Sequence, residues 1–183
     1  MKKKYLLLTL SLALITLIAS SYVATKKFST YAIETAKKPL VESIEVENSS
    51  YLDLNLKDIK NKKIQISSLN KDLILIDFWA TWCSPCVKEI PHFIELKEQY
   101  PNIEIIGISL DSSDKDIRSF SLINKINYPV IHASEDLMKQ VERDHGVIAS
   151  IPTTFIYDKN LNLIEKVVGY RDKAYFEKFI PKQ

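Results

Sequence analysis

"LILIDFWATWCSPCVKEIP", residues 73–91, holds both cysteines of the chain, Cys83 and Cys86, three positions apart. Its first part is a run of apolar residues broken only by Asp77, the pattern of a strand covered on both faces. Beyond the cysteines Val87, Ile90, Phe93, Ile94, Leu96 and Tyr100 recur at helical spacing. "IEIIGISL", residues 103–110, is a second doubly covered strand. Strand, helix and strand in this order predict a right-handed parallel crossover, with the cysteines where the first strand passes into the helix.

Two more helices are predicted over "DKDIRSFSLINKI" (114–126) and "EDLMKQVERDH" (135–145), the second capped by Ser134 and stopped at Gly146. The short strand "YPVIHA" (128–133) lies between them. "TTFIYD" (153–158) and "LIEKVVGY" (163–170) flank a turn and read as an antiparallel hairpin, and "RDKAYFEKFI" (171–180) closes the chain as a helix. Upstream, the alternation of "YLDLNL" (51–56) resumes in "IQI" (64–66), which predicts an N-terminal hairpin. The expected class is α/β, a mixed central sheet flanked by helices.

A chain of 183 residues holds one domain of ordinary size plus an appendage. An apolar share of 46% with 26% charged residues is that of a globular protein. Lys2, Lys3 and Lys4 account for the small positive balance of 25 basic over 23 acidic residues, so the body is near neutral and nucleic acid is not an expected partner. Residues 5–24, "YLLLTLSLALITLIASSYVA", carry no charge and are followed by Lys26 and Lys27. About 20 apolar residues suffice to span a bilayer, so residues 1–25 are expected to be a retained, uncleaved signal segment serving as a single-pass membrane anchor. Ala19-Ser20-Ser21 offers a small-residue cleavage site as the alternative. Positive charges hold the N-terminus inside, which leaves the body outside the cytoplasm. Residues 26–48 show no sustained period and read as an extracytoplasmic tether, leaving 49–183 as the domain. The expected state is a monomer.

A pair of cysteines at this spacing belongs to half a zinc site, a structural disulfide or a redox couple. Structural zinc needs four protein ligands, and His92, His132 and His145 are not spaced like a finger. A structural disulfide around so small a loop would restrain the unfolded chain little. The redox reading gains from placement, because Pro85 sits where a helix begins and puts Cys83 at its N-terminus. Unpaired amide N–H groups there favour a thiolate. Cys83 is accordingly the attacking sulfur, and Cys86, one turn further in, resolves the mixed disulfide. Asp77 and Glu89 are the candidate acceptors of the Cys86 proton, since burial raises the pKa of a carboxyl toward neutrality. Trp82 and the "ASIPTTF" segment, with Ile151 and Pro152, are candidates for pairing with an extended substrate peptide: a cis Ile151–Pro152 bond would leave the Ile151 backbone free for it, though the spacing alone does not establish that isomer.

"DFWATWCSPC" followed by "VKEIP", together with "IPTTFIYD" further on, resembles the thioredoxin superfamily, and within it the membrane-anchored TlpA/ResA-like thiol-disulfide oxidoreductases. The resemblance covers about residues 45–183. It implies a thioredoxin-like fold with an N-terminal β-hairpin extension and an insertion, about residues 111–135, between a core strand and the next helix. It also implies a redox-active Cys83–Cys86 disulfide, a cis Pro152 facing it, and a redox role for Glu89. Asp77 departs from the pattern, since TlpA/ResA-like chains often carry Asn there.

The function implied is a reductase of disulfides in exported proteins, such as the haem-attachment cysteines of apocytochrome c, recharged by a membrane thiol donor. No cofactor is expected. A disulfide oxidase and an electron donor to a methionine sulfoxide reductase stay open, because Ser84-Pro85 does not fix the direction of flow. Other classes are a copper(I)-handling metallochaperone, with Cys83, Cys86 and one histidine as ligands, and a peroxidase, for which the lone peroxidatic cysteine is missing.

Overall fold

Seven consecutive buried residues, Leu73–Trp79, form the central strand of the protein. The structure is a computed structural model that describes residues 50–182; the anchor and tether expected over residues 1–48 lie outside that range. In chain order the strands are β1 (Leu56–Lys57), β2 (Lys63–Ile64), β3 (Leu73–Trp79), β4 (Ile103–Ser109), β5 (Val130–His132), β6 (Thr153–Asp158) and β7 (Leu163–Val168). The helices are α1 (Ser84–Gln99), α2 (Asp114–Ile123), α3 (Glu135–His145) and α4 (Lys173–Glu177).

Five strands make one mixed sheet in the order β5-β4-β3-β6-β7. β3, β4 and β5 run parallel, while β6 pairs antiparallel with both β3 and β7. Successive side chains of a strand point to opposite faces, and both faces of this sheet are covered. On one, Leu73, Leu75, Trp79, Ile103 and Ile105 pack beneath Ile90, Phe93 and Leu96 of α1, with Ile117 of α2 and Phe176 of α4. On the other, Ile74, Ile76, Phe78, Ile106 and Ile108 meet Leu137 and Val141 of α3, with Tyr51, Leu52, Ile64 and Ile66. This double cover is why the two core strands read as unbroken apolar runs. Each large side chain so buried contributes about 1.5–3 kcal/mol.

Two expectations contract. The N-terminal hairpin pairs only Leu56 with Ile64 and Lys57 with Lys63, as a separate two-stranded sheet. Its flanks, Tyr51–Asp53 and Ile66–Ser68, are 3₁₀ turns, because Tyr51 and Ile66 are drawn entirely into the core and Ser50 caps the first turn. The last helix spans only Lys173–Glu177, capped by Asp172. It tightens into i→i+3 bonds through Phe179 and Ile180 before Pro181. The insertion after β4 contributes α2 and β5, and β5 extends the sheet at its edge. Helix α3 starts at the Ser134 cap and ends at Gly146 with φ 77°, as its sequence predicts.

Candidate active site

Where β3 ends, Cys83 takes the N-cap position of α1, with extended φ/ψ (−88°, 99°) and Pro85 in the first turn. Its Sγ accepts a hydrogen bond from the backbone N–H of Cys86 at 3.3 Å. The two sulfurs are joined in a disulfide with a Cα–Cα separation of 5.3 Å. Cys86 is 1% exposed and Cys83 6%, the order expected of a resolving and an attacking sulfur. Trp82, immediately before the pair, is 69% exposed. Helix α1 continues through Pro91, whose ring nitrogen has no proton to give the carbonyl of Val87.

The Ile151–Pro152 peptide bond is cis. Pro152 directly precedes β6, whose Thr153 and Thr154 pair with Phe78 and Asp77. The register therefore sets the cis proline at the end of the sheet from which the Trp82–Cys83 loop leaves. The Pro152 carbonyl accepts from Gly169 N–H at 2.8 Å. Among the described residues no hydrogen bond engages the backbone of Ile151, which leaves it available to a pairing chain.

The two acids of this strand-to-helix passage, Asp77 on β3 and Glu89 one turn past Cys86 on α1, are each 1% exposed. Thr154 Oγ1 donates to Asp77 Oδ1 at 3.3 Å, and Arg171 N–H donates to Glu89 Oε1 at 2.7 Å. Burial pushes the Glu89 carboxyl from 4.5 up to about 7, against the opposing pull of the Arg171 hydrogen bond and charge. Burial, reinforced by the Glu89 charge and opposed by the Thr154 hydrogen bond, raises Asp77 well above the ordinary carboxyl range. Two buried carboxyls that feel one another do not ionise together. Near neutral pH the pair therefore resists carrying two charges at once, and Glu89, at about 7, is the carboxyl that titrates there.

Over residues 48–166 the chain matches the AhpC/TSA family. It is also 31% identical over 127 residues to the thiol-disulfide oxidoreductase ResA of Bacillus thuringiensis, covering 68% of this chain and 71% of that protein. The chain belongs to the AhpC/TSA family, as a ResA-like thiol-disulfide oxidoreductase. A thiol:disulfide interchange protein of the thioredoxin family from Chlorobium tepidum superposes with a TM-score of 0.63 at 28% identity, over 67% of this chain and 87% of that one. StoA from Bacillus subtilis shares the fold, with a TM-score of 0.59 at 21% identity over 69% and 94% of the two chains. The fold of this ResA-like chain is therefore thioredoxin-like, and the joined cysteines are its redox centre.

Several groups that shape the oxidoreductase site escape a linear reading. Asp111, just past β4, accepts from Thr81 N–H at 2.9 Å, from Thr81 Oγ1 at 2.6 Å and from Ser109 Oγ at 2.6 Å. It thereby ties down the loop between β3 and Cys83. The signal was available: residues that follow adjacent parallel strands emerge at the same end of the sheet. Arg171 reaches Glu89 across 82 residues through its backbone N–H, so its side-chain identity gives no hint of the contact. The histidines are engaged elsewhere. His92 Nε2 contacts Tyr170 Oη at 2.9 Å, His132 Nε2 the Asp111 carbonyl at 2.6 Å, and His145 Nε2 Tyr157 Oη at 2.6 Å. Among the described residues no three metal-ligating side chains converge, so the copper reading finds no third ligand.

Proposed function

We propose that this oxidoreductase works outside the cytoplasm, held at the membrane by residues 1–25 through the 26–48 tether, and reduces disulfides in exported proteins. The apocytochrome c haem-attachment cysteines are one substrate of this kind, and a membrane thiol donor restores the dithiol. The observation that carries the reading is the capping geometry: Cys83 Sγ already accepts an amide N–H at the start of α1. The partial positive charge of that helix end favours a thiolate on Cys83 in the reduced chain.

The steps follow from the placement. Cys83 thiolate attacks one sulfur of the substrate disulfide, and the bond breaks with its electron pair on the other substrate sulfur. Cys86 then gives its proton to the acid pair, with Glu89 the acceptor because its carboxyl lies near 7. The Cys86 thiolate attacks Cys83 Sγ, closing the intramolecular disulfide and releasing the second substrate thiol. The substrate gains two electrons and the protein dithiol loses them. Exposed Trp82 and the unengaged backbone of Ile151 support docking of an extended peptide beside the disulfide.

Trapping tests this. Cys86→Ala, expressed in a host that exports it, should accumulate mixed disulfides with exported proteins, whereas Cys83→Ala should accumulate none. Equal trapping by both variants would remove Cys83 as the attacker. Captured proteins confined to the cytoplasm would remove the proposed location.

A further inference from the structure

Three buried polar atoms near the acid pair lack a hydrogen-bond partner among the described residues: Glu89 Oε2, Tyr128 Oη and Trp79 Nε1. The fold brings their residues together. Asp77 and Gly107 are direct partners on neighbouring strands and so share a face of the sheet. A Cβ at Gly107 would lie 2.7 Å from Trp79 Nε1 and 3.4 Å from Tyr128 Cε2, so indole and phenol converge on the bare backbone next to Asp77. Phe93, one turn beyond Glu89 on α1, meets the Tyr128 ring edge-on, with centroids 6.3 Å apart. Tyr128 is therefore sandwiched between the helix that carries Glu89 and the strand beside Asp77.

The chemistry of the three atoms is complementary. An indole N–H only donates, a phenol donates or accepts, and a carboxylate oxygen only accepts. Buried polar atoms without protein partners are served by internal water, which needs two to four such groups.

We propose that Tyr128 is a positioning residue of the redox step: its hydroxyl, through an internal water shared with Trp79 Nε1, donates toward Glu89 Oε2 and supports that oxygen as acceptor of the Cys86 proton. This rests on the reading of Glu89 as proton acceptor. The phenol suits the task, since burial and the charges of Asp77 and Glu89 raise its pKa well above the ordinary value and keep it a neutral donor at every working pH. The other groups facing the cluster are Asp77 on β3, Thr154 on β6 and Arg171 after β7, and the cysteine pair belongs to the same core cluster as Trp79 and Tyr128. Removing the Tyr128 donor leaves the ionised carboxylate less supported. Glu89 then protonates at higher pH, and less of it is free to accept a proton at neutrality.

The test uses the reduced full chain in detergent, mixed in a stopped-flow instrument with dithiobis-nitrobenzoate. The first chromophore released reports attack by Cys83, and the second reports resolution by Cys86. Tyr128→Phe should leave the first phase unchanged, slow the second about tenfold at neutral pH, and move its pH midpoint upward. Near-ultraviolet circular dichroism checks that the variant is folded. In a Glu89→Gln background, Tyr128→Phe should add nothing further, because its effect runs through that carboxylate. An unchanged second phase in Tyr128→Phe, with Glu89→Gln slow, would overturn the role of Tyr128 alone. The same would follow if the Tyr128→Phe effect persisted in full in the Glu89→Gln background. A second phase unaltered by Glu89→Gln would overturn the proton acceptor itself and the Tyr128 proposal with it.

Discussion

Glu89→Gln should make the folded oxidised chain less sensitive to pH, and the size of the effect can be worked from the structure. The Glu89 carboxyl lies at about 7 in the folded chain against 4.5 when free. At about 1.4 kcal/mol per pH unit, ionising it in the folded state costs about 3 kcal/mol more than in the unfolded state. Below its ordinary value the group is protonated in both states and this cost is absent. As pH climbs from 4.5 through about 7 the unfolded chain sheds the proton first, so stability falls; above that range the loss is complete. The glutamine amide of the variant keeps an oxygen for the Arg171 N–H and has no charge to bury. Denaturant unfolding of the disulfide-intact protein, at about pH 4 and about pH 8, reads the difference. The wild type should lose about 3 kcal/mol more than the variant between the two conditions. Asp77, raised in the same sense, leaves a residual slope in both. Parallel pH profiles for the two proteins would refute the claim that Glu89 is ionised at a cost in the interior.

Further outcomes follow from other contacts. Asp111→Ala strips the acceptor from Thr81 and Ser109, and should cost about 3 kcal/mol in denaturant unfolding while accelerating alkylation of the reduced Cys83 loop. Gly107→Ala puts a methyl group 2.7 Å from Trp79 Nε1, and should cost about 1–3 kcal/mol with a change in tryptophan fluorescence. Ser134→Ala removes the 3.2 Å bond to Leu137 N–H at the start of α3, and should cost about 1 kcal/mol in thermal unfolding without touching the redox chemistry. Alkylation of the reduced protein across pH should find Cys83 reacting as a thiolate well below the ordinary thiol range; titration of both thiols like free cysteine would remove the helix-cap argument.

Much of this architecture is legible in the sequence because periodicity reports burial. The runs around Ile76 and Ile106 declare strands covered on two faces, and the caps Cys83, Ser134 and Gly146 mark helix boundaries through local chemistry alone. The N-terminal hairpin is present but shorter than its pattern suggests, because the first part of "YLDLNL" alternates for a different reason. Tyr51 and Leu52 are buried side by side from a 3₁₀ turn, an arrangement that a period of two cannot distinguish from a strand. At the site, the cysteines, Asp77 and Glu89 stand close in sequence to the strand-to-helix passage and are named as candidates from it. Thr81 with Asp111, and Tyr128 beside Glu89, meet only through the parallel crossover and the insertion after β4. A linear pattern carries no trace of either meeting.

The first described residues are fastened in an unusual place. Ser50 Oγ and Tyr51 N–H both donate to Asp144 Oδ2 near the end of α3, at 3.1 and 2.9 Å, and the Tyr51 hydroxyl meets that of Tyr157 on β6 at 2.7 Å. A mechanical load arriving along the polypeptide from upstream would fall on this latch and on α3, across the sheet from the helix that bears the cysteines. A pull on the backbone ahead of Ser50 would thus reach the sulfurs only after this latch had given way.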